Sequence, residues 1–200
     1  MSTLRAKATI DLSAIKSNIK HLKTLTDAPI MAVVKADAYG HGLIPVAKAA
    51  IEAGAEWLGV ALLEEAFALR ESGITVPILS WLAPSGSDFH RAKMENIDVA
   101  VASLKVLSEI PAGARIHLEV DTGMTRGGFL DEWTQLLKTD LSKYEIVGIF
   151  SHFARADEPN ETQNQRQLDS FQKYISEINS LGINPMRHIS NSAATISNQR

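Results

Sequence analysis

The segment "MAVVKADAYGHG", residues 31–42, runs apolar β-formers straight into a lysine, then into small residues, one tyrosine and two glycines. Packing gives Val33 and Val34 no use for an ammonium at their end. Lys35 either leaves the core for water along its aliphatic stem, or is held where its amine can react. In the second case partial desolvation lowers the amine's pKa and leaves a nucleophile able to form a Schiff base with a carbonyl. Tyr39, four residues on, sits in a Gly-rich loop that leads into a helix starting near Gly42. Its phenol can donate a hydrogen bond to a phosphate, and the helix start can hold an anion. His41 reads as a solvent-facing turn residue.

Three later stretches carry further candidates. In "HLEVDTGMTRGGF" a strand places His117, Glu119 and Asp121 on one side, ends at Asp121, and enters a loop with Arg126 before Gly127 and Gly128. An arginine keeps its charge, so Arg126 is either a fixed cation suited to a phenolate or carboxylate oxygen, or a surface residue of a flexible turn. In "GIFSHF" His152 ends a strand, fit to lie beside a ring, to orient other groups, or simply to sit as a satisfied residue. In "RHISNSAA" His188 lies in a strand, and Asn191 and Ser192 open the next segment as a phosphate cup or as ordinary helix caps. Trp81 lines a pocket or packs the interior. Glu64, Glu65 and Asp88 read as helix-surface charges, and no histidine and carboxylate set has metal-ligand spacing.

These residues need a scaffold that gathers them. Seven short apolar segments recur, "PIMAVVK", "WLGVA", "VPILSWL", "DVAVAS", "ARIHLEVD", "EIVGIFSHF" and "MRHIS", each but the last followed by a helix-like amphipathic stretch. That rhythm predicts βα units on a parallel sheet, with Gly54, Gly73 and Gly182 at helix C-termini. The expected architecture is an α/β fold, a (β/α)8 TIM-type barrel truncated before its eighth βα unit, because such barrels typically run to ~250 residues. One barrel domain spans residues 1–200. Strand C-termini share one mouth in such a barrel, which is where Lys35, Arg126 and His152 fall. Ahead of it, "KATIDL" reads as a short strand. "SAIKSNIKHLKTL" reads as a helix capped by Ser13, with Ala14, Ile15, Ile19 and Leu22 on one face.

With 200 residues, 45% hydrophobic and 22% charged, the chain can bury a real core. A net charge of −3 and scattered basic residues argue against nucleic acid as a partner. Zero cysteines exclude disulfides and thiolate metal sites. Charges interrupt the N-terminal stretch too often for a signal peptide or membrane span, so the expected location is cytoplasmic.

Taken together, "AVVKADAYGHG", "VDTGMTRGGF", "SHFARADE" and "HISNSAA" resemble, in order, four motifs of the alanine racemase family, from about residue 5 to the C-terminus. The resemblance implies an isomerase dependent on pyridoxal 5'-phosphate (PLP), interconverting L- and D-alanine for cell-wall peptidoglycan. It implies that Lys35 forms the Schiff base and is one of two racemising bases. Tyr39 and Ser192 would bind the phosphate, Arg126 would meet the ring's phenolic oxygen, His152 would lie beside the ring, and Asn191 would support the phosphate end.

The family also has a C-terminal β-domain, which supplies the opposite-face tyrosine and normally pairs with "KATIDL". An arginine near the end of the barrel contacts the pyridine nitrogen, and homodimers share their sites. Neither that tyrosine nor that arginine is located before Arg200, so the chain is expected to be a fragment with little activity alone. Some members carry a lysine, often carbamylated, where this chain has Glu119; a carboxylate there could balance Arg126 unmodified. Two alternatives remain at this point. One is a single-domain PLP-binding homeostasis protein on the same barrel; the other is an α/β interaction module in which Lys35 merely reaches for water.

Overall fold

In the computed structural model, which describes residues 6–197, the seven expected strands form one parallel sheet. They are β1 (Met31–Val33), β2 (Trp57–Val60), β3 (Ile78–Ser80), β4 (Ile97–Val101), β5 (Arg115–Glu119), β6 (Glu145–Phe150) and β7 (Met186–His188). Each pairs with the next, so spatial order equals chain order. The helices are α1 (Leu12–Lys23), α2 (Lys35–Gly40), α3 (Leu43–Glu52), α4 (Leu63–Glu71), α5 (Phe89–Met94), α6 (Leu104–Glu109), α7 (Trp133–Leu136), α8 (Thr162–Ser180) and α9 (Ser192–Ile196). Gly54, Gly73 and Gly182, just past α3, α4 and α8, have φ of 103°, 85° and 78°, the left-handed conformation that ends a helix without a Cβ clash.

Strands β2, β3 and β4 are buried on both faces because each face has a different cover, whereas the edge strands β1 and β7 are partly exposed. Leu58, Val60, Ile78, Ile97, Val99, Val101, Ile116, Leu118 and Ile149 share the main core with the helix residues Leu63, Ala66, Leu69, Phe171 and Ile178. The alternate positions point inward, where the sheet curls on itself. Trp57 of β2 meets His117 of β5 edge-on at 5.6 Å across the interior, and a Cβ on Gly59 would stand 2.6 Å from Trp81. Period-two alternation thus divides a nearly continuous apolar sequence into an outer layer and an inner one. Among the described residues β1 and β7 each have a single strand neighbour, so the sheet is a curled, open half-barrel.

Two local expectations are corrected. Residues 7–11 of "KATIDL" form no strand: no neighbouring strand among the described residues offers them a ladder, they are exposed, and Leu12 already belongs to α1. The cap of α1 is Asp11 rather than Ser13, because the Asp11 carboxylate accepts from the Ser13 and Ala14 N–H groups at 2.8 and 3.1 Å. Of the expected inward face of α1, Ile19 is buried against Ala50, Ala53 and Ala55 with Ile15 beside it and Leu22 is half-buried, but Ala14 is exposed.

Candidate active site

Lys35 lies just beyond β1 and opens α2, which is left-handed: Ala36, Asp37, Ala38 and Tyr39 have φ of 52–56° and ψ of 38–53°. For L-residues that conformation costs about 1–2 kcal/mol each. Neighbouring polar groups hold it. Glu65 of α4 accepts from the Ala36 N–H at 2.6 Å through one carboxylate oxygen, and from Ala61 and Leu62 N–H groups at 2.9 and 3.0 Å through the other. Asp37 accepts from the Leu43 N–H at 2.6 Å and thereby caps α3, and Ala38 is buried.

A helical turn of either hand brings residues i and i+4 to one side. Lys35 and Tyr39 therefore face the same space, with the Lys35 Nζ 5.8 Å from the Tyr39 ring and 5.7 Å from that of Trp81. His41 stays exposed, its Nδ1–H directed at the Ala38 and Tyr39 carbonyls.

Glu65 is thus no surface charge: its carboxylate is the strut beneath the lysine turn, whereas Glu64 is exposed as expected. Asp88 likewise caps α5 by accepting from the Arg91 N–H at 2.9 Å. Glu65→Ala should lower stability by about 2–4 kcal/mol, because three backbone donors lose a charged acceptor. Urea unfolding checks this, and a loss under 1 kcal/mol would show that the turn holds itself.

Arg126 tops a loop that is clamped rather than flexible. The Phe129 N–H donates to the Glu119 carbonyl at 2.7 Å and the Asp121 N–H to the Phe129 carbonyl at 3.0 Å, closing residues 120–129 into a ring. The strand ends at Glu119, not Asp121. Asp121 turns into its own loop and accepts from Gly123 and Thr125 N–H groups at 2.8 and 3.1 Å. Gly128 has φ of 110°, and a Cβ there would stand 2.6 Å from the Asp121 nitrogen, so only glycine closes the ring. Glu119 lies beneath the loop tip, within 3.5 Å of where a Gly127 Cβ would be. Burial raises its pKa above the ordinary carboxylate value, Arg126 pulls it back, and Asp121 adds a smaller upward push.

Lys35, Tyr39, Trp81, Arg126, His152, Asn191 and Ser192 all line one cleft of about 1240 Å³, so six candidates drawn from four separated stretches meet in one place. His152 has its pKa lowered by burial first and by the nearby Arg126 and Lys35 charges second, which keeps it neutral at pH 7. Asn191 caps α9, its side-chain oxygen accepting from the Ala194 N–H at 3.0 Å. The Ser192 side chain next to it is exposed. A lysine amine, a phenol, a hydroxyl and an arginine over one concave wall form a donor set that fits a phosphorylated pyridine aldehyde.

Sequence reasoning missed the line of polar groups behind this wall. His117 and His188 were seen singly and Asp98 not at all, yet all three are joined by hydrogen bonds in the interior. The only local hint is a charged residue alternating with apolar ones in "IDVAV". Burial pushes His188 down from 6.5 to about 3.

A base whose folded pKa is depressed has its full stability above the unfolded value and loses it as pH falls toward the folded one. Stability should therefore drop by about 1.4 kcal/mol per pH unit between roughly 6.5 and 3 through this residue. Asp98, whose burial would raise its pKa but which hydrogen bonds with His117 and Arg115 hold below its ordinary 3.8, adds further loss once pH falls toward 3.8 and below. Urea midpoints at pH 7, 5.5 and 4 measure this, and His188→Gln should flatten the slope.

The sequence and fold both have relatives. Residues 10–200 match the family model "Alanine racemase, N-terminal domain". The alanine racemase of Salinispora tropica is 43% identical over 206 residues, covering 96% of this chain and 55% of the relative. That of Frankia casuarinae is 43% identical over 208 residues, covering 96% and 54%. The crystal structure of alanine racemase from D-cycloserine-producing Streptomyces lavendulae superposes with a TM-score of 0.90 at 39% identity, over 94% of this chain and 53% of that one. The Bacillus anthracis alanine racemase with bound L-Ala-P gives 0.83 at 36% identity, over 93% and 52%. The chain spans about half the length of the curated relatives it matches. On its sequence and its half-barrel alike, the chain belongs to the alanine racemase family, whose N-terminal domain it matches.

Proposed function

We propose that this chain is the cofactor-holding part of a PLP-dependent alanine racemase, acting as a homodimer in the cytoplasm to interconvert L- and D-alanine. The observation that carries the reading is the convergence of Lys35, Tyr39, Arg126, His152 and Ser192 on one cleft in a member of this family. Among the described residues no helix is long and apolar enough to cross a membrane.

When bound, PLP supplies an electron sink that acidifies the Cα–H of an attached amino acid. The rest is work for this chain's own groups. Lys35 would hold the group through its aldehyde, and its Nζ is the amine that would take or return a proton on one face of the substrate Cα. Tyr39 and Ser192 would donate to the phosphate, at the end where Asn191 caps α9. Arg126 would offer its fixed charge to the phenolic oxygen, from a loop already clamped by its own backbone bonds. His152, its pKa lowered by burial, would lie beside the ring without adding a cation. Racemisation needs a second proton carrier on the opposite face of Cα.

The reading is tested by adding PLP to the protein, reducing with borohydride, and mapping the modified peptide by mass spectrometry. A pyridoxyl group on Lys35 supports it. Labels scattered over surface lysines, with Lys35 unmodified, would overturn it.

A further inference from the structure

The interior holds a line of groups that the proposed chemistry does not use. Arg115 of β5 donates to Asp98 of β4 from Nε at 2.7 Å and from Nη2 at 3.2 Å. The same carboxylate stands 3.2 Å from Nε2 of His117, whose Nδ1 is 2.8 Å from Nε2 of His188 on β7. Asp98 and His117 are 1% and 0% exposed. Room for His117 comes from Gly148, where a Cβ would be 2.2 Å from Nδ1. The His188 ring is held flat on Phe150, with centroids 4.8 Å apart and planes 9° apart, and it lines the cleft.

Hydrogen-bond polarity propagates along such a line. An ionised carboxylate only accepts, so Nε2 of His117 carries a hydrogen. Arg115 balances the buried Asp98 charge, its other partner Glu145 being exposed to solvent, so a fully buried His117 needs no charge of its own and turns the lone pair of its Nδ1 to His188. That lone pair requires the hydrogen of His188 on Nε2. The other nitrogen of His188, which has no partner among the described residues, is then a bare acceptor. An arginine does not give up its proton, so the line ends in an ion pair and sets a tautomer rather than conducting protons.

We propose that Asp98 and His117 are positioning residues that lock His188 as its Nε2–H tautomer, so that Nδ1 offers the cleft an acceptor which takes a hydrogen-bond donor and rejects carboxylate or phosphate oxygens. This goes beyond the functional reading, and its test uses no PLP, so the two fail separately.

Long-range proton–nitrogen correlation spectra of the ¹⁵N-labelled protein read imidazole tautomers directly. The expected result is one form of His188, protonated at Nε2, in the parent. In His117→Phe, which removes the acceptor but keeps a ring against Trp57, a mixture of both forms is expected. Asp98→Asn gives the same readout should the Phe variant not fold, since an amide can donate as well as accept. A parent His188 protonated at Nδ1, or a folded variant in which the His188 tautomer is unchanged, would overturn the proposal. A purely packing role for the line would leave the tautomer unmoved.

Discussion

Lys35→Ala should leave the half-barrel folded, remove the borohydride-fixed pyridoxyl peptide of residue 35, and weaken PLP binding by roughly 10²-fold, or about 2.7 kcal/mol. The structure gives the reason for expecting a clean effect. Lys35 is only half-buried and makes no hydrogen bond to the scaffold among the described residues, so its removal leaves no buried group without a partner. The left-handed turn is held by Glu65 and Asp37, neither of which depends on the Lys35 side chain. Equilibrium titration followed by absorbance, with unfolding midpoints as the control, separates the lost anchor from a lost fold. Unchanged affinity in a folded variant would mean that the amine serves only to carry its stem to water.

Gly148→Ala should be among the most damaging single methyl additions to this chain, costing about 3 kcal/mol or more. Overpacking alone costs about 1–3 kcal/mol. Here the added carbon would meet His117 Nδ1 at 2.2 Å, and that ring is hydrogen-bonded on both nitrogens. Strand β6 cannot retreat, because it pairs with β5 on one side and β7 on the other. His117→Ala should be damaging by itself through the cavity it leaves, yet the double variant should cost clearly less than the sum, since the new methyl occupies part of that cavity. Urea unfolding of the four proteins gives the coupling, and additive penalties would show that the clash is relieved elsewhere.

What could be read from sequence, and what could not, follows from the range of the interactions. The seven βα units were legible because each rests on local pattern: apolar runs a few residues long, amphipathic stretches, and glycine where a helix must turn out. The meeting of Lys35, Tyr39, Arg126, His152, Asn191 and Ser192 followed from barrel geometry, since strand ends share one mouth. The left-handed sense of residues 36–39 was hidden, because small L-residues favour it only when Glu65, on another helix, takes the Ala36 N–H. For the same reason Glu65 looked like solvent-facing charge, since its partner Ala36 lies 29 residues away. The Asp98, His117, Gly148 and His188 set draws one residue from each of four strands, and no window of sequence contains more than one of them. "KATIDL" misled because it has strand chemistry without a strand to pair with among the described residues.

Because every strand pairs with the one made just before it, the sheet can grow in the order of synthesis, each new βα unit docking on a finished edge with little loop to close. The cleft cannot form that way. Its lysine lies just beyond β1 and its serine just beyond β7, so the two walls come together only after six intervening crossovers are in place. A ribosome would therefore carry a nascent sheet throughout the synthesis of residues 31–188 before the two walls of this cleft can meet. Ligand added early in synthesis should have nothing to grip, while protease resistance of the first strands should already be rising.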